Sequence, residues 1–160
     1  METLARDGVA AAELRAVMRR WMTGVARMPA AGPGGRPAGL VSNSFTSVSL
    51  EPPLVSWCAD RRSSAFAIWS TTDAFAVHVL AERDAPLVPR FAARGTDKFA
   101  GLAVTDGSVG APAVPVAGVR LDCRLWARYG GGDHLILVGQ VVAIDGAAGF
   151  DALTLEHLNR

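Results

Sequence analysis

A chain of 160 residues, half of them apolar and 19% charged, is long enough for one well-packed domain over residues 1–160 and too short for two ordinary ones. Sixteen Lys and Arg against fifteen Asp and Glu leave a formal net charge of +1, which gives no electrostatic footprint for nucleic acid. Lys98 is the one lysine, so the remaining positive charge is carried by arginine.

The first predicted element is a helix, because Leu14, Val17, Met18, Trp21 and Met22 recur at three- and four-residue spacing. Such a face should lie across something apolar. Val25 to Met28 reads as a short strand, and the turn formers from Ala31 to Pro37 exclude any regular element there. Ala38 to Phe45 and Leu54 to Ala59 read as strands on either side of the Pro52-Pro53 break. Ser63 and Ser64 are candidate N-caps of a short helix through Ile68 and Trp69, and Phe75 to Leu80 follows as a strand.

Pro86 to Ala93 suggests a second short helix, and the Gly, Pro and Ala content of Gly107 to Gly118 marks a loop. The clearest signal comes next. Val119, Leu121, Cys123, Leu125, Ala127 and Tyr129 alternate with Arg120, Asp122, Arg124 and Arg128, then Gly130-Gly131-Gly132-Asp133 turns the chain into a returning strand from His134 to Ile144. Phe150 to Arg160 suggests a terminal helix. Strands in this number, joined by short helices only, exclude a doubly wound fold and point to an antiparallel barrel.

Cys58 and Cys123 sit in apolar alternating stretches without metal spacing. They read as reduced thiols of a cytoplasmic protein. The longest apolar runs stop well short of the ~20 residues of a membrane span, and no charged leader with an apolar segment opens the sequence, so neither a membrane nor a secretory route is expected.

Several chemistries drop out for want of residues. Gly32-Pro33-Gly34-Gly35 lacks the Lys and Ser/Thr of a phosphate loop, His78, His134 and His157 have no second ligand at metal spacing, and no serine elbow is present. No metal is therefore expected. What remains is the polar block from Ser42 to Ser49, which reads either as a solvent-facing strand end or as a cradle of hydroxyls, an amide and backbone donors for a polar ligand. Ser63 and Ser64 behind Arg61 and Arg62 could likewise cap a helix or receive an anion. Lys98-Phe99 could pair a charge with a flat ring, and His134 stands at a strand mouth after flexible glycines.

Together these segments resemble the flavin reductase-like family, the FMN-binding split barrels that supply reduced flavin to two-component monooxygenases. The likeness runs from about Ala16 to Ile144. It is carried by Trp21-Met22-Thr23-Gly24-Val25, by Arg36-Pro37-Ala38-Gly39-Leu40, and by the block from Asn43 through Pro52-Pro53 to Val55. Arg62-Ser63-Ser64, Arg90-Phe91-Ala92 with Asp97-Lys98-Phe99, and Tyr129-Gly130-Gly131-Gly132-Asp133-His134 complete it.

The resemblance implies a six-stranded antiparallel split β-barrel of Greek-key type with short flanking helices. It implies flavin contacts from Ser42, Asn43, Ser44, Phe45 and Thr46 and from Trp57, Cys58 and Ala59. The flavin phosphate would meet Ser44, Ser63, Ser64 and Lys98, with Arg62 beside them, and Phe91 and Phe99 would pack near the cofactor. His134, next to Asp133, would orient the nicotinamide. The implied activity is hydride transfer from NADH or NADPH to FMN or FAD by a cytoplasmic homodimer that serves a monooxygenase. In that chemistry the cofactors carry the redox step and the protein holds two rings together.

Two departures stand out. The tail from Phe150 to Arg160 lacks the family's Leu, Tyr and Gly pattern, and Trp57 is bulkier than is common at its place. A barrel of this size has no separate nicotinamide domain, so one cleft must serve both cofactors, completed by the partner subunit of a dimer. The competing reading is a flavin- or ligand-binding split barrel that performs no reduction, with a non-redox role in a biosynthetic pathway.

Overall fold

A computed structural model describes residues 9–18, 23–31, 33–94, 97–146 and 149–159. Among the described residues three short helices, α1 (Ala11–Met18), α2 (Phe66–Trp69) and α3 (Leu87–Ala92), flank nine strands. The strands are β1 (Ala26–Ala31), β2 (Pro37–Ser42), β3 (Thr46–Leu50), β4 (Pro53–Asp60), β5 (Ala74–Val79), β6 (Thr105–Asp106), β7 (Pro112–Ala113), β8 (Val119–Gly131) and β9 (His134–Gly146). Seven of them form one antiparallel sheet in the order β2-β1-β5-β8-β9-β4-β3, and β6 and β7 pair separately.

The sheet curls until its two ends approach. Cys58 N–H, on β4, donates to Ser44 Oγ, just past β2, at 2.8 Å. Ser44 thereby extends the β3–β4 register, with a side-chain oxygen accepting where a ladder carbonyl would otherwise do so. Thr46–Leu50 adds a strand that its polar composition had hidden; it is the exposed outer arm of the hairpin with β4.

Alternation fills the interior. Trp57 and Phe75 from the strands meet Trp69 of α2, with the indoles edge to face at 4.9 Å and 89° and the Trp57 and Phe75 rings 5.9 Å apart. Met28, Cys123 and Leu137 complete this fully buried centre. Gly139 is required beside it, since a Cβ there would lie 2.5 Å from Phe75 Cζ. Close packing of this kind is what makes one methyl group matter.

Several sequence expectations need correction. None of α1 is buried, and Leu14, Val17 and Met18 are all more than half exposed, so the helix buries no apolar face against the described residues; Trp21 and Met22 lie outside the described residues. Register shifts in β8 between Asp122 and Cys123 and between Leu125 and Ala127 break the simple alternation. Bulges of this kind re-aim side chains, and Tyr129 is 57% exposed while Leu121 and Leu125 pack on the core. Neither Ser63 nor Ser64 caps α2: the residue before the helix is Ala65, and Ser63 Oγ instead accepts the Ala65 N–H at 3.3 Å.

The tail is not a helix but an extended segment ending in a single tight turn at His157–Asn159. Leu153 O accepts the Val25 N–H at 2.9 Å and Leu153 N–H donates to Leu80 O at 2.8 Å. Its side chain is buried between those two residues. Pairing at both neighbours and burial of one leucine outweigh a short helix that could not propagate. No described helix is long and apolar enough to cross a membrane.

Candidate functional site

Strand β4 has two faces. Val55, Trp57 and Ala59 point into the core, so by the two-residue period Ser56, Cys58 and Asp60 point outward. Cys58 and Asp60 open into a cleft of about 330 Å3. Its other walls are the turn after β2, with Leu40, Val41, Ser42, Asn43 and Ser44; Ser63 and Ser64 before α2; Phe91, Ala92, Ala93 and Arg94 at the end of α3; and Lys98 and His134.

The turn after β2 is held by its own hydroxyls. Ser42 Oγ and Ser44 Oγ lie 2.7 Å apart, Ser44 N–H donates to Ser42 Oγ at 3.1 Å, and Ser44 Oγ accepts from Cys58. These bonds fix the loop and leave Asn43 exposed at the rim.

The opposite rim is the β8–β9 turn. Asp60 faces His134 in the ladder, and Arg61 clamps the turn by donating from its backbone N–H to Asp133 O at 3.0 Å and from Nε to Gly132 O at 3.0 Å. Gly132, at φ 68°, supplies the left-handed residue that the turn needs. Asp133 Oδ1 meets His134 Nδ1 at 2.8 Å, which commits one ring nitrogen and leaves Nε2 as the free edge of the imidazole.

Charge is concentrated at the same rim. Arg62 donates to Asp60 from its backbone N–H at 2.8 Å, from Nε at 3.2 Å and from its terminal nitrogen at 3.1 Å, and these bonds hold the Asp60 carboxyl down to about 2. The hydrogen bond with His134 lowers Asp133 as well. Both carboxylates are therefore ionised at neutral pH.

Lys98 closes the far end. Its Nζ donates to Phe91 O at 2.8 Å and to Gly39 O at 3.1 Å, tying α3 to β2. Partial burial pushes its pKa down. Two of the three ammonium donors are thereby used and one remains for an anion. Arg90 braces the segment from behind by donating to Lys98 O at 2.7 Å and to Ala100 O. Phe91 and Phe99 stack edge to face at 5.1 Å beneath it.

The residues singled out in the sequence fall into two groups. Ser42, Asn43, Ser44, Cys58, Ser63, Ser64, Phe91, Lys98 and His134 line one cleft. The others do not line it. Trp57 and Ala59 are fully buried on the inner face, Phe45 packs against the same core, and Thr46 is exposed on β3. Arg62 turns to Asp60 with its side chain 75% exposed, Phe99 is buried beside Phe91, and Asp133 acts on His134 from outside. Sequence reasoning missed Asp60, although the period that picks out Cys58 also picks out Asp60. Leu40, Val41, Ala92, Ala93 and Arg94 carried no chemical signal.

Hydroxyls, an amide and a single ammonium around an apolar floor suit a neutral polar chain that ends in a phosphate, next to a flat ring. Comparison with known proteins points the same way. Residues 18–160 match the family model described as flavin reductase like domain. The actinorhodin polyketide dimerase of Streptomyces coelicolor is 40% identical over 131 residues, 82% of this chain and 74% of that protein. The HsaB reductase subunit of a flavin-dependent monooxygenase from Rhodococcus jostii is 35% identical over 150 residues, 90% of this chain and 76% of its own length. Among solved structures, the NADH:FAD oxidoreductase of Streptomyces globisporus C-1027, in complex with NAD and FAD fragments, superposes with a TM-score of 0.84 at 31% identity, covering 92% of this chain and 88% of that one.

Proposed function

We infer the function from one premise: this chain belongs to the flavin reductase-like domain family. It is an NAD(P)H:flavin oxidoreductase, and its relatives include a flavin reductase, an NADH-dependent FMN reductase and the reductase subunit of a flavin-dependent monooxygenase. When bound, the reduced nicotinamide supplies a hydride and the flavin accepts it. The protein's part is to hold and orient.

The observation that supports a site in this cleft is the convergence of residues distant in sequence, from Ser42 to His134, on one cavity large enough for a flavin head. In this reading Asn43 and the backbone of its hydroxyl-locked turn take the flavin chain, and Ser63, Ser64 and the remaining donor of Lys98 take its phosphate. Cys58 lies under the ring. His134, held through Nδ1 by Asp133, presents Nε2 to the nicotinamide.

The dimer belongs to the same proposal. Trp126 and Tyr129 on β8 and Val142 and Ile144 on β9 are between 45% and 68% exposed, more apolar surface than one hairpin ordinarily leaves in water. A second copy over this hairpin would bury it and exclude water from the neighbouring cleft. Free thiols at Cys58 and Cys123 suit the cytoplasm.

Mixing the purified chain with FMN or FAD and with NADH or NADPH, and following nicotinamide absorbance, tests the activity; oxidation above the flavin-free background is expected. A second reading has one observation in its favour, the 40% identity to the polyketide dimerase. There the cleft would serve a binding or non-redox role in biosynthesis, and flavin binding with no nicotinamide oxidation would select it.

A further inference from the structure

His134 follows Asp133 and three consecutive glycines, Gly130, Gly131 and Gly132, all exposed at the tip of the β8–β9 hairpin. Glycine has the widest backbone freedom of any residue, so this stretch does not by itself hold an imidazole in one direction. We propose that Arg61 is a positioning residue of the reaction, which stiffens the turn and through it aims His134. The inference rests on the reading of His134 given above and adds to it the residue that sets that histidine.

Arg61 grips the two residues that precede His134. Its backbone N–H donates to Asp133 O at 3.0 Å, and its Nε donates to Gly132 O at 3.0 Å. Asp133 is also the residue whose carboxylate meets His134 Nδ1 at 2.8 Å. Holding the Asp133 backbone therefore holds the group that orients the ring. Asp60, immediately before Arg61, pairs with His134 across the ladder, so arginine and histidine sit on one hydrogen-bonded corner. The guanidinium covers Gly130 as well, where a Cβ would stand 3.6 Å from its terminal nitrogen.

The guanidinium is anchored on its other side. It lies 5.6 Å from the ring centroid of Phe66, the first residue of α2, inside the cation–π range of about 6 Å. Phe66 N–H donates to Ser63 O at 3.0 Å and Ser63 N–H donates to Asp60 O at 3.0 Å, so ring, serine and strand end brace one another. The adjacent arginine is arranged differently, with Arg62 engaged by the Asp60 carboxylate. Arg61 does not line the cleft. Its donors are turned onto a carbonyl and a ring, not into the space where an anion would lie.

A double-mutant cycle with His134 tests the assignment. Arg61→Met keeps the stem and the backbone bond and removes the Nε donor and the cation. Loss of one exposed hydrogen bond predicts that turnover with NADH or NADPH falls about fivefold. Flavin affinity, titrated without nicotinamide, should stay within about twofold. In the cofactor-free chain, amide hydrogen exchange across the peptide from Arg128 to Ile136 should quicken about fivefold, since the same bond restrains local opening. In a His134→Ala background, Arg61→Met should lower turnover no further. Phe66→Leu, which removes only the ring beneath the guanidinium, should give a smaller loss of the same kind and decides the matter if Arg61→Met does not fold. Undiminished turnover in the single variant overturns the proposal, as does a full additional loss in the His134→Ala background or unchanged exchange at the turn. An equal fall in flavin affinity also overturns it, because Arg61 then meets the flavin itself. Undiminished turnover in His134→Ala alone removes the reading of His134 together with the proposal, an outcome seen in a different variant.

Discussion

The two faces of β4 divide the molecule's work. On the inner face Trp57 is sealed between Trp69 and Phe75, and neither indole N–H has a polar partner among the described residues. On the outer face, one residue away, Cys58 lines an open cleft and its backbone bonds to a serine hydroxyl. The first face is solved by packing and tolerates no change of volume, whereas the second is held by hydrogen bonds and leaves space. A strand of this kind separates stability from chemistry by a single residue of register.

Removing Trp57 should break the comparison most severely. Trp57→Ala leaves a large void among residues that cannot close over it and should cost about 3–5 kcal/mol in chemical unfolding. Cys58→Ala, its neighbour, should cost about 1 kcal/mol or less. Similar losses for the two would mean that the faces are not distinct.

Lys98→Met sharpens the comparison from the other side. The variant keeps the length and apolar stem but removes the ammonium, and a charge-assisted hydrogen bond is worth about 1.5–3 kcal/mol. Flavin should therefore bind roughly ten- to a hundredfold more weakly, measured by titration. The unfolding midpoint should fall as well, because the ties to Gly39 O and Phe91 O are lost together with the flavin contact.

His134→Ala comes next in size. Its imidazole is placed by Asp133 on the β8–β9 turn, a different element from those that carry Lys98 and the serines, so turnover with NAD(P)H should fall by about tenfold through loss of orientation while flavin affinity stays within about twofold. Equal losses in both would show that the ring contacts the flavin. Asp133→Asn should reproduce a fraction of the turnover defect if the carboxylate sets the ring.

These contrasts also explain what the sequence revealed and what it hid. The β8–β9 hairpin was legible because its alternation is long and its turn carries glycine where the backbone enters the left-handed region. Ser42 to Ser44, Ser63, Ser64, Lys98 and His134 stand out as polar or charged residues in apolar surroundings, but composition leaves each open between cap, surface and ligand; the family resemblance groups them, and the structure brings them to one cleft. Of Trp57, Cys58 and Ala59, which the resemblance takes together, the period of two turns only the Cys58 side chain to the cleft and the other two to the core. The edge strand Thr46–Leu50 was hidden by a polar sequence, and the tail by a pairing between Leu153 and strand ends far away in the chain. Tertiary contacts settled both, and local propensity carries no trace of them.

The mildest probe changes no residue. Cys58 on the outer face of β4 lines the cleft, whereas Cys123 on β8 is fully buried in the core that the inner face of β4 packs against. Burial, with the nearby Asp122 carboxylate adding to it, pushes the Cys123 thiol up to about 12. At pH 8 only about one such thiol in ten thousand is ionised, and the thiolate is the form that alkylates. Treating the folded chain with iodoacetamide should therefore label Cys58 and spare Cys123, as read by peptide mass. Flavin added beforehand should slow that labelling without altering Cys123, because only the outer thiol shares the cleft. Labelling of Cys123 at a comparable rate would mean that the barrel opens on the timescale of the reaction, and labelling of Cys58 that ignores flavin would move the ring away from β4.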